Sequence, residues 1–243
     1  MTIDLAELAQ RFEGRPPEEI LADAAQRFPG KITFGTGFGA EGCTVIDMIG
    51  RHGLQIDVFT LDTGVLFGET YDLWHRLEDR YGLKIRALRP RQTIAEQAAT
   101  EGPRLWERDP DRCCELRKLQ PQRAEMEHFD AWISALRREQ TTNRAHAQVY
   151  ESDLRFGKIK VNPLVGWTNK DVWNYIVRYS VPYNPLHDRG YPSIGCEPCT
   201  TAVKPGEDPR AGRWRGKEKT ECGLHVPAGE TTNVPLTQLA ASR

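Results

Sequence analysis

Between residues 31 and 136 one local pattern recurs: a short apolar run, a turn, then an amphipathic helical stretch. Lys31-Ile-Thr-Phe34 reads as a strand, followed by a glycine-rich loop over 35–42 and a helix to about Ile49. Asp57-Val-Phe-Thr-Leu61 reads as a second buried strand, ending in Asp62-Thr63-Gly64. A helix from Gly68 to Tyr81 follows, with Gly82 as its stop. Lys84–Leu88 is a third strand, 92–100 a helix, and Ala131–Leu136 a fourth strand. Alternation of this kind predicts an α/β fold: a mostly parallel sheet flanked by helices on both faces. Outside the repeat, 4–12 and 17–27 read as helices, with Pro16 and Pro17 at the start of the second. Gly157–Val161 reads as one more strand. Thr168 reads as the cap of a helix containing Val172–Tyr179. Residues 182–216 are rich in proline, glycine and arginine without periodicity, which predicts a functional loop region. Val226–Arg243 reads as a flexible tail. The expected organisation is helices in 1–30 packing on the core, an α/β domain over 31–200, and a mobile segment over 201–243.

A net charge of −1 over 243 residues argues against nucleic acid or anionic membrane as partner. No apolar stretch is long enough to span a bilayer. The N-terminal residues are acidic where a secretory signal would be basic and then apolar. The expectation is a cytoplasmic protein, and in that reducing setting clustered cysteines bind metal or do redox chemistry more often than they form structural disulfides.

Six cysteines carry the chemistry. Cys113 and Cys114 are adjacent; Cys196 and Cys199 form a Cys-x-x-Cys pair. Two pairs make a four-thiolate metal site the favoured reading, with iron–sulfur and zinc both open. Adjacent Cα atoms lie about 3.8 Å apart, which suits a multi-atom cluster better than one tetrahedral ion. The alternatives are a vicinal disulfide or four unrelated buried thiols. Cys43, at helical spacing with Ile46 and Ile49, reads as core. Cys222 has Lys217, Lys219 and His225 nearby in the chain; cations lower a thiol pKa, so it is a candidate nucleophile, against the alternative of an idle thiol.

The loop Gly35-Thr36-Gly37-Phe38-Gly39 joins a strand to a helix N-terminus and is a candidate anion cradle, with a plain tight turn as the alternative. It is neither a Walker loop nor a dinucleotide fingerprint. Asp62 and Thr63 sit at a strand's C-terminal end, where open α/β sheets bind ligands. Lys118 follows Cys114 by one helical turn. Arg137 and Arg138 follow the fourth strand; Arg210 and Arg213 follow Cys199.

In combination these segments resemble the assimilatory sulfonucleotide reductases, and among them the cluster-containing adenylyl-sulfate (APS) reductases. The resemblance rests on Phe38-Gly-Ala-Glu41, Thr60-Leu-Asp-Thr-Gly64, Cys113-Cys114 with Arg117-Lys118, Leu136-Arg-Arg-Glu-Gln140, Val181–His187, Tyr191–Thr200, Arg210-Ala-Gly-Arg213 and Glu221-Cys-Gly-Leu-His225. It covers roughly residues 30–225 and is far more specific than any single motif. It implies an adenine-nucleotide α-hydrolase-like (PP-loop type) sandwich with a flexible C-terminal catalytic segment. It also implies a [4Fe-4S] cluster on Cys113, Cys114, Cys196 and Cys199. Cys222 would attack the sulfur of APS, giving a Cys S-sulfonate and AMP, and thioredoxin or a similar dithiol would release sulfite. Lys118, Arg210, Arg213 and His225 match residues that contact or close over the phosphosulfate. The same chemistry on 3′-phosphoadenylyl sulfate (PAPS) is the near alternative, and a zinc-stabilised nucleotide-binding module the distant one. Homo-oligomerisation is left open. Gly37 departs from the serine many relatives have there, and Gly42 and Cys43 also replace commoner choices.

Overall fold

A computed structural model of the chain describes residues 4–219 and Gly223; Cys222, His225 and the tail 226–243 lie outside the described residues. Asp4 accepts from Ala6 N–H and Glu7 N–H, both at 3.0 Å, and caps α1 (Leu5–Phe12). Pro17 opens α2 (Pro17–Arg27), where its missing N–H costs nothing. Then come β1 (Ile32–Thr36), α3 (Ala40–Arg51), β2 (Asp57–Leu61), α4 (Gly68–Tyr81) and β3 (Ile85–Leu88). Gly82 ends α4 in the left-handed region, at φ 60°, as a C-terminal stop requires. Thr93 and Glu96 form a capping box on α5 (Ile94–Glu101). A helical run follows: α6 (Leu105–Arg108), α7 (Pro110–Cys114), a π-helical turn (Glu115–Leu119) and α8 (Gln120–Met126). The chain continues through β4 (Ala131–Ile133), β5 (Tyr150–Asp153), β6 (Lys158–Val161) and α9 (Asn169–Tyr179), the last with a Thr168–Asp171 capping box.

Among the described residues the strands form one sheet in the order β3-β2-β1-β4-β6-β5. Every neighbouring pair is parallel except β5–β6. The first three strands are laid down in one direction from β1, and the chain then crosses to the other side of β1 to add β4. The topological switch point therefore lies between the C-terminal ends of β1 and β4, where an open α/β sheet has its crevice.

Helices α3, α4 and α9 share the larger core, built on Phe34, Ile46, Ile49, Leu73 and Ile176. Phe59, Met126 and Trp132 make a smaller cluster that joins α8 to the sheet. Buried Asp47 ties α3 to its neighbours, accepting from Tyr175 Oη at 2.6 Å, Tyr81 Oη at 2.7 Å and Arg51 Nε at 2.8 Å. Cys43 is fully buried, as its spacing predicts, and burial pushes its thiol pKa up.

Three expectations need adjustment. Strand β1 runs on to Thr36, because Gly35 and Thr36 pair with Phe59 and Thr60. Strand β4 stops at Ile133: Ser134 N–H still reaches Val161 C=O at 2.9 Å, but the chain then leaves the sheet. Strand β5 was not anticipated at all. Its sequence Tyr-Glu-Ser-Asp has no apolar alternation, and it is held by antiparallel pairing with β6 on one side and α1 on the other.

Candidate active site

A cavity of about 690 Å³ occupies the crevice. Gly35, Thr36, Gly37 and Gly39 form one wall, and Ser134, Leu136 and Arg137 from the chain leaving β4 form another. Trp173 and His187 contribute from α9 and the turn after it, and Arg210, Arg213 and Trp214 close the remaining side. Of the residues singled out in the sequence, the glycine loop, Arg137, Arg210 and Arg213 thus come together.

The loop is built by two local devices. Thr36 Oγ1 accepts from Phe38 N–H at 3.1 Å, and Phe38, at φ 57°, drives its ring into the core, stacked on Trp74 at 5.7 Å. Phe38 itself does not line the cavity; it anchors a loop that does. Gly42 leaves room for the threonine: a Cβ there would sit 2.7 Å from Thr36 Oγ1.

Asp62, Thr63, Lys118 and Arg138 lie elsewhere. Asp62 accepts from Tyr71 Oη at 2.7 Å, Arg89 Nε at 3.0 Å and Gly64 N–H at 3.1 Å, beside a separate cavity of about 540 Å³. Burial raises its pKa, but these donors more than offset that, and the carboxyl is held below its ordinary range. Arg138 is paired with Glu13 at 2.6 Å and donates to Ala147 C=O at 2.8 Å. Thr63 and Lys118 belong to the cysteine site. Cys222 and His225 fall outside the described residues.

The cysteine site joins two distant parts of the chain. Asp109 caps α7, which ends in Cys113 and Cys114, both buried, and the π-helical turn begins at the next residue. Such turns are frequent at functional sites. The Cys196–Cys199 turn is pinned on one side by a bridge between Leu66 and Cys196 and by Glu197 N–H to Val65 C=O at 2.9 Å. On the other side Cys199 C=O accepts from Trp214 N–H at 2.9 Å. Thr63 Oγ1 lies 3.2 Å from Cys196 Sγ.

Burial, then the neighbouring Cys114, Cys196 and Cys199, push the Cys113 thiol up to about 12. Burial and then Cys196 take Cys199 up to about 11. Cys196 goes the other way: burial raises it, but Lys118, the Thr63 hydroxyl and Arg213 together hold it below its ordinary value. The four sulfurs therefore share one electrostatic environment. Among the described residues no group of three or more His, Cys, Asp or Glu has the arrangement of a single-ion site. Four thiols, three of them buried, with cations beside them, form a donor set that fits a soft, thiolate-bound group with negative charge to be offset.

Arg117 supports this site from beneath. It is 3 % exposed and donates to Thr63 C=O at 2.6 Å and Gln97 Oε1 at 2.8 Å. Burial lowers its pKa, and the cysteines and Asp62 work against that. The sequence reading also did not single out Ser134, Arg144, Trp173, His187 or Trp214 as cavity residues. They come from α9 and from separate loops with no mutual spacing, so they form no motif together. Two carried a signal: His187 closes the Val181–His187 segment, and Trp214 directly follows Arg213.

A six-stranded, mostly parallel sheet with a glycine loop at the switch point is the adenine-nucleotide α-hydrolase-like fold of PP-loop type. The crystal structure of a phosphoadenylyl-sulfate (PAPS) reductase from Candida auris matches it with a TM-score of 0.73 and 31% identity, covering 84% of this chain and 99% of that one. Residues 31–202 match the phosphoadenosine phosphosulfate reductase domain, and the chain belongs to that family. It is 45% identical to an adenosine 5′-phosphosulfate reductase from Halalkalibacterium halodurans, over 92% of this chain and 97% of that protein. It is likewise 45% identical to a phosphoadenosine 5′-phosphosulfate reductase from Gloeobacter violaceus, over 91% of this chain and 93% of that one. No helix among the described residues is long and apolar enough to cross a membrane.

Proposed function

We propose that the chain is an adenylyl-sulfate reductase of assimilatory sulfate reduction, converting APS to sulfite and AMP in the cytoplasm with thioredoxin or a similar dithiol as reductant. One observation carries most weight. The Cys196–Cys199 turn is hydrogen-bonded to Trp214, next to Arg213, so the thiol site and the arginine wall of the nucleotide cavity are parts of one structure. The relatives named for APS, at 43–48% identity, favour that substrate.

In this reading the Cys222 thiolate attacks the sulfur of APS. A bond forms between Sγ and the sulfonate sulfur, and the sulfur–oxygen bond to the phosphate breaks. AMP leaves with that electron pair. Charge accumulates on the departing phosphate oxygen, where preorganised Arg210 and Arg213 of the cavity wall are worth most, and Lys118, beside Cys196, adds positive charge from the cysteine site. The glycine-loop amides and the positive end of α3 hold the phosphate. A thioredoxin thiolate then attacks Cys222 Sγ and expels sulfite. The second thioredoxin thiol displaces Cys222 from the mixed disulfide, leaving a reduced enzyme and an oxidised thioredoxin. Cys113, Cys114, Cys196 and Cys199 would hold a [4Fe-4S] cluster, whose contribution when bound is to fix these loops and shape the local field. The organisation that follows is an N-terminal helical segment over 1–30, a nucleotide- and cluster-binding domain over 31–200, and a catalytic segment over 201–243.

The decisive experiment is mass spectrometry of reduced, anaerobically prepared protein mixed with APS. The expected result is one sulfonate adduct on Cys222, absent from Cys222→Ser, with iron and acid-labile sulfide present in both. An adduct on another cysteine would overturn the nucleophile assignment. Faster adduct formation with PAPS than with APS would shift the substrate. A protein holding zinc and forming no adduct would instead be the nucleotide-binding module.

A further inference from the structure

Trp214 is held in place against two penalties. Its backbone sits in the left-handed region, at φ 49°, which a bulky residue rarely adopts. Its ring is buried, at 4% exposure, and Nε1 has no hydrogen-bond partner among the described residues. The backbone around it leaves no slack to relieve either one. Thr201 N–H donates to Gly212 C=O, Trp214 N–H to Cys199 C=O and Lys217 N–H to Trp214 C=O, each at 2.9 Å. Gly212 lies so close to the opposite chain that a Cβ there would sit 2.0 Å from Thr201 C=O oxygen.

What this turn places is the face of the indole. The Arg213 guanidinium carbon lies 4.5 Å from the ring centroid, and the Lys219 ammonium lies 5.4 Å from it. Arg213 lines the nucleotide cavity and donates to Ile194 C=O at 3.4 Å. Lys219 reaches the ring because the chain reverses at Trp214 and closes a turn at Lys217. The Lys219 side chain is only 8% exposed, whereas its ion-pair partner Asp111 is 77% exposed. Water screens a carboxylate so exposed, which leaves the desolvated indole as the stronger hold on the ammonium. Lys219 stands three residues before Cys222 in the chain. One side chain therefore touches the arginine wall of the cavity and the segment that carries the candidate nucleophile, while its own N–H ties down the Cys196–Cys199 turn.

We propose that Trp214 is a positioning residue: its indole binds Arg213 and Lys219 together, and so keeps the arginine that receives the anionic group in register with the segment that delivers Cys222. This role presupposes the reductase reading, in which Cys222 attacks the substrate sulfur. A ring kept for its π face has a definite order of replacements: Trp holds a cation best, Phe less well, and a side chain without a ring not at all. A ring kept for its volume has a different one, because the adaptable Met fills an irregular gap at least as well as Phe.

The test compares Trp214→Phe, Trp214→Met and Lys219→Met in reduced, anaerobically prepared protein. Two readouts are followed: the rate of sulfonate formation on Cys222 with APS, and tryptic cleavage after Lys217. Trp214→Met should slow the adduct about three- to thirtyfold, the range of one desolvated cation–π contact, and speed cleavage several-fold. Trp214→Phe should stay within about threefold of the wild type in both. Lys219→Met should slow the wild type about fivefold but the Trp214→Met background less than twofold. Equal effects of Phe and Met would overturn the proposal, since Trp214 would then only fill space. So would a Lys219→Met effect of the same size in both backgrounds. Should Trp214→Met not fold, Lys219→Met in the Trp214→Phe background decides instead, and an effect as large as in the wild type sinks the idea. A wild type that forms no adduct would overturn the reductase reading, and the order of the cleavage rates would still uphold or overturn the contact of Trp214 with Lys219.

Discussion

Gly37 and Gly42 show how differently two glycines of one loop behave. A Cβ at Gly37 meets nothing within 4 Å, so a serine side chain fits there without cost. Gly37→Ser should leave Tm within about a degree, since a surface change of this kind is worth about 0.5 kcal/mol or less. It should lower KM for the nucleotide by adding a hydroxyl to the anion cradle. At Gly42 the added atom meets a stiff, hydrogen-bonded threonine at 2.7 Å. Gly42→Ala should cost about 1–3 kcal/mol and raise KM together, because Thr36 must move and the loop moves with it. Thermal melts and steady-state kinetics on the two variants separate these outcomes. Asp62 supplies a pH signature at the same scale. Its folded pKa lies below the ordinary carboxylate range because Tyr71, Arg89 and Gly64 N–H outweigh burial. It therefore adds stability above about pH 4, and that contribution is lost as pH falls through the folded value. Asp62→Asn should flatten the dependence of Tm on pH between about 5 and 3; an unchanged slope would show that other carboxylates set it.

At the scale of elements, the chain after Trp214 is held by contacts that no local pattern announces. Lys217 Nζ donates to Glu107 C=O at 2.8 Å, and Lys219 pairs with Asp111, so the segment lies along α6 and α7. Its last described residue, Gly223, gives its C=O to Arg155 Nη1 at 2.6 Å, and a Cβ there would come within 3.2 Å of Leu119. Arg155 is steadied in turn by Asp153, which also accepts from Trp132 Nε1 at 3.1 Å. The turn that follows β5, the strand missed in the sequence, thus presents the arginine that holds Gly223. Arg155→Ala should speed tryptic cleavage after Lys217 several-fold, with Tm nearly unchanged. Equal cleavage rates in the two proteins would show that the Lys217 and Lys219 contacts suffice.

For the whole molecule, elements that carry their own signals were legible in advance. Helix α4 and strand β2 were legible in the sequence, because a positive-φ glycine ends the one and Val58, Phe59 and Leu61 mark the other. The cap at Thr168 was legible for the same reason, being a local signal, and the structure completes it as a capping box with Asp171. The cysteine pairs and glycine loop were visible as candidates, being local motifs of unusual composition. What no spacing contained was the order of the strands, with β1 at the centre and β4 crossing to its far side. That order puts the glycine loop and the arginine-rich turns around one crevice. Packing brings Cys113 beside Cys196, and it turns Arg138 toward Glu13 while Arg137 faces the cavity. Periodicity and caps are set by bonds within a few residues and can be read one segment at a time. Which segments become neighbours is decided by burial of their apolar faces against each other, a property of the assembled core alone.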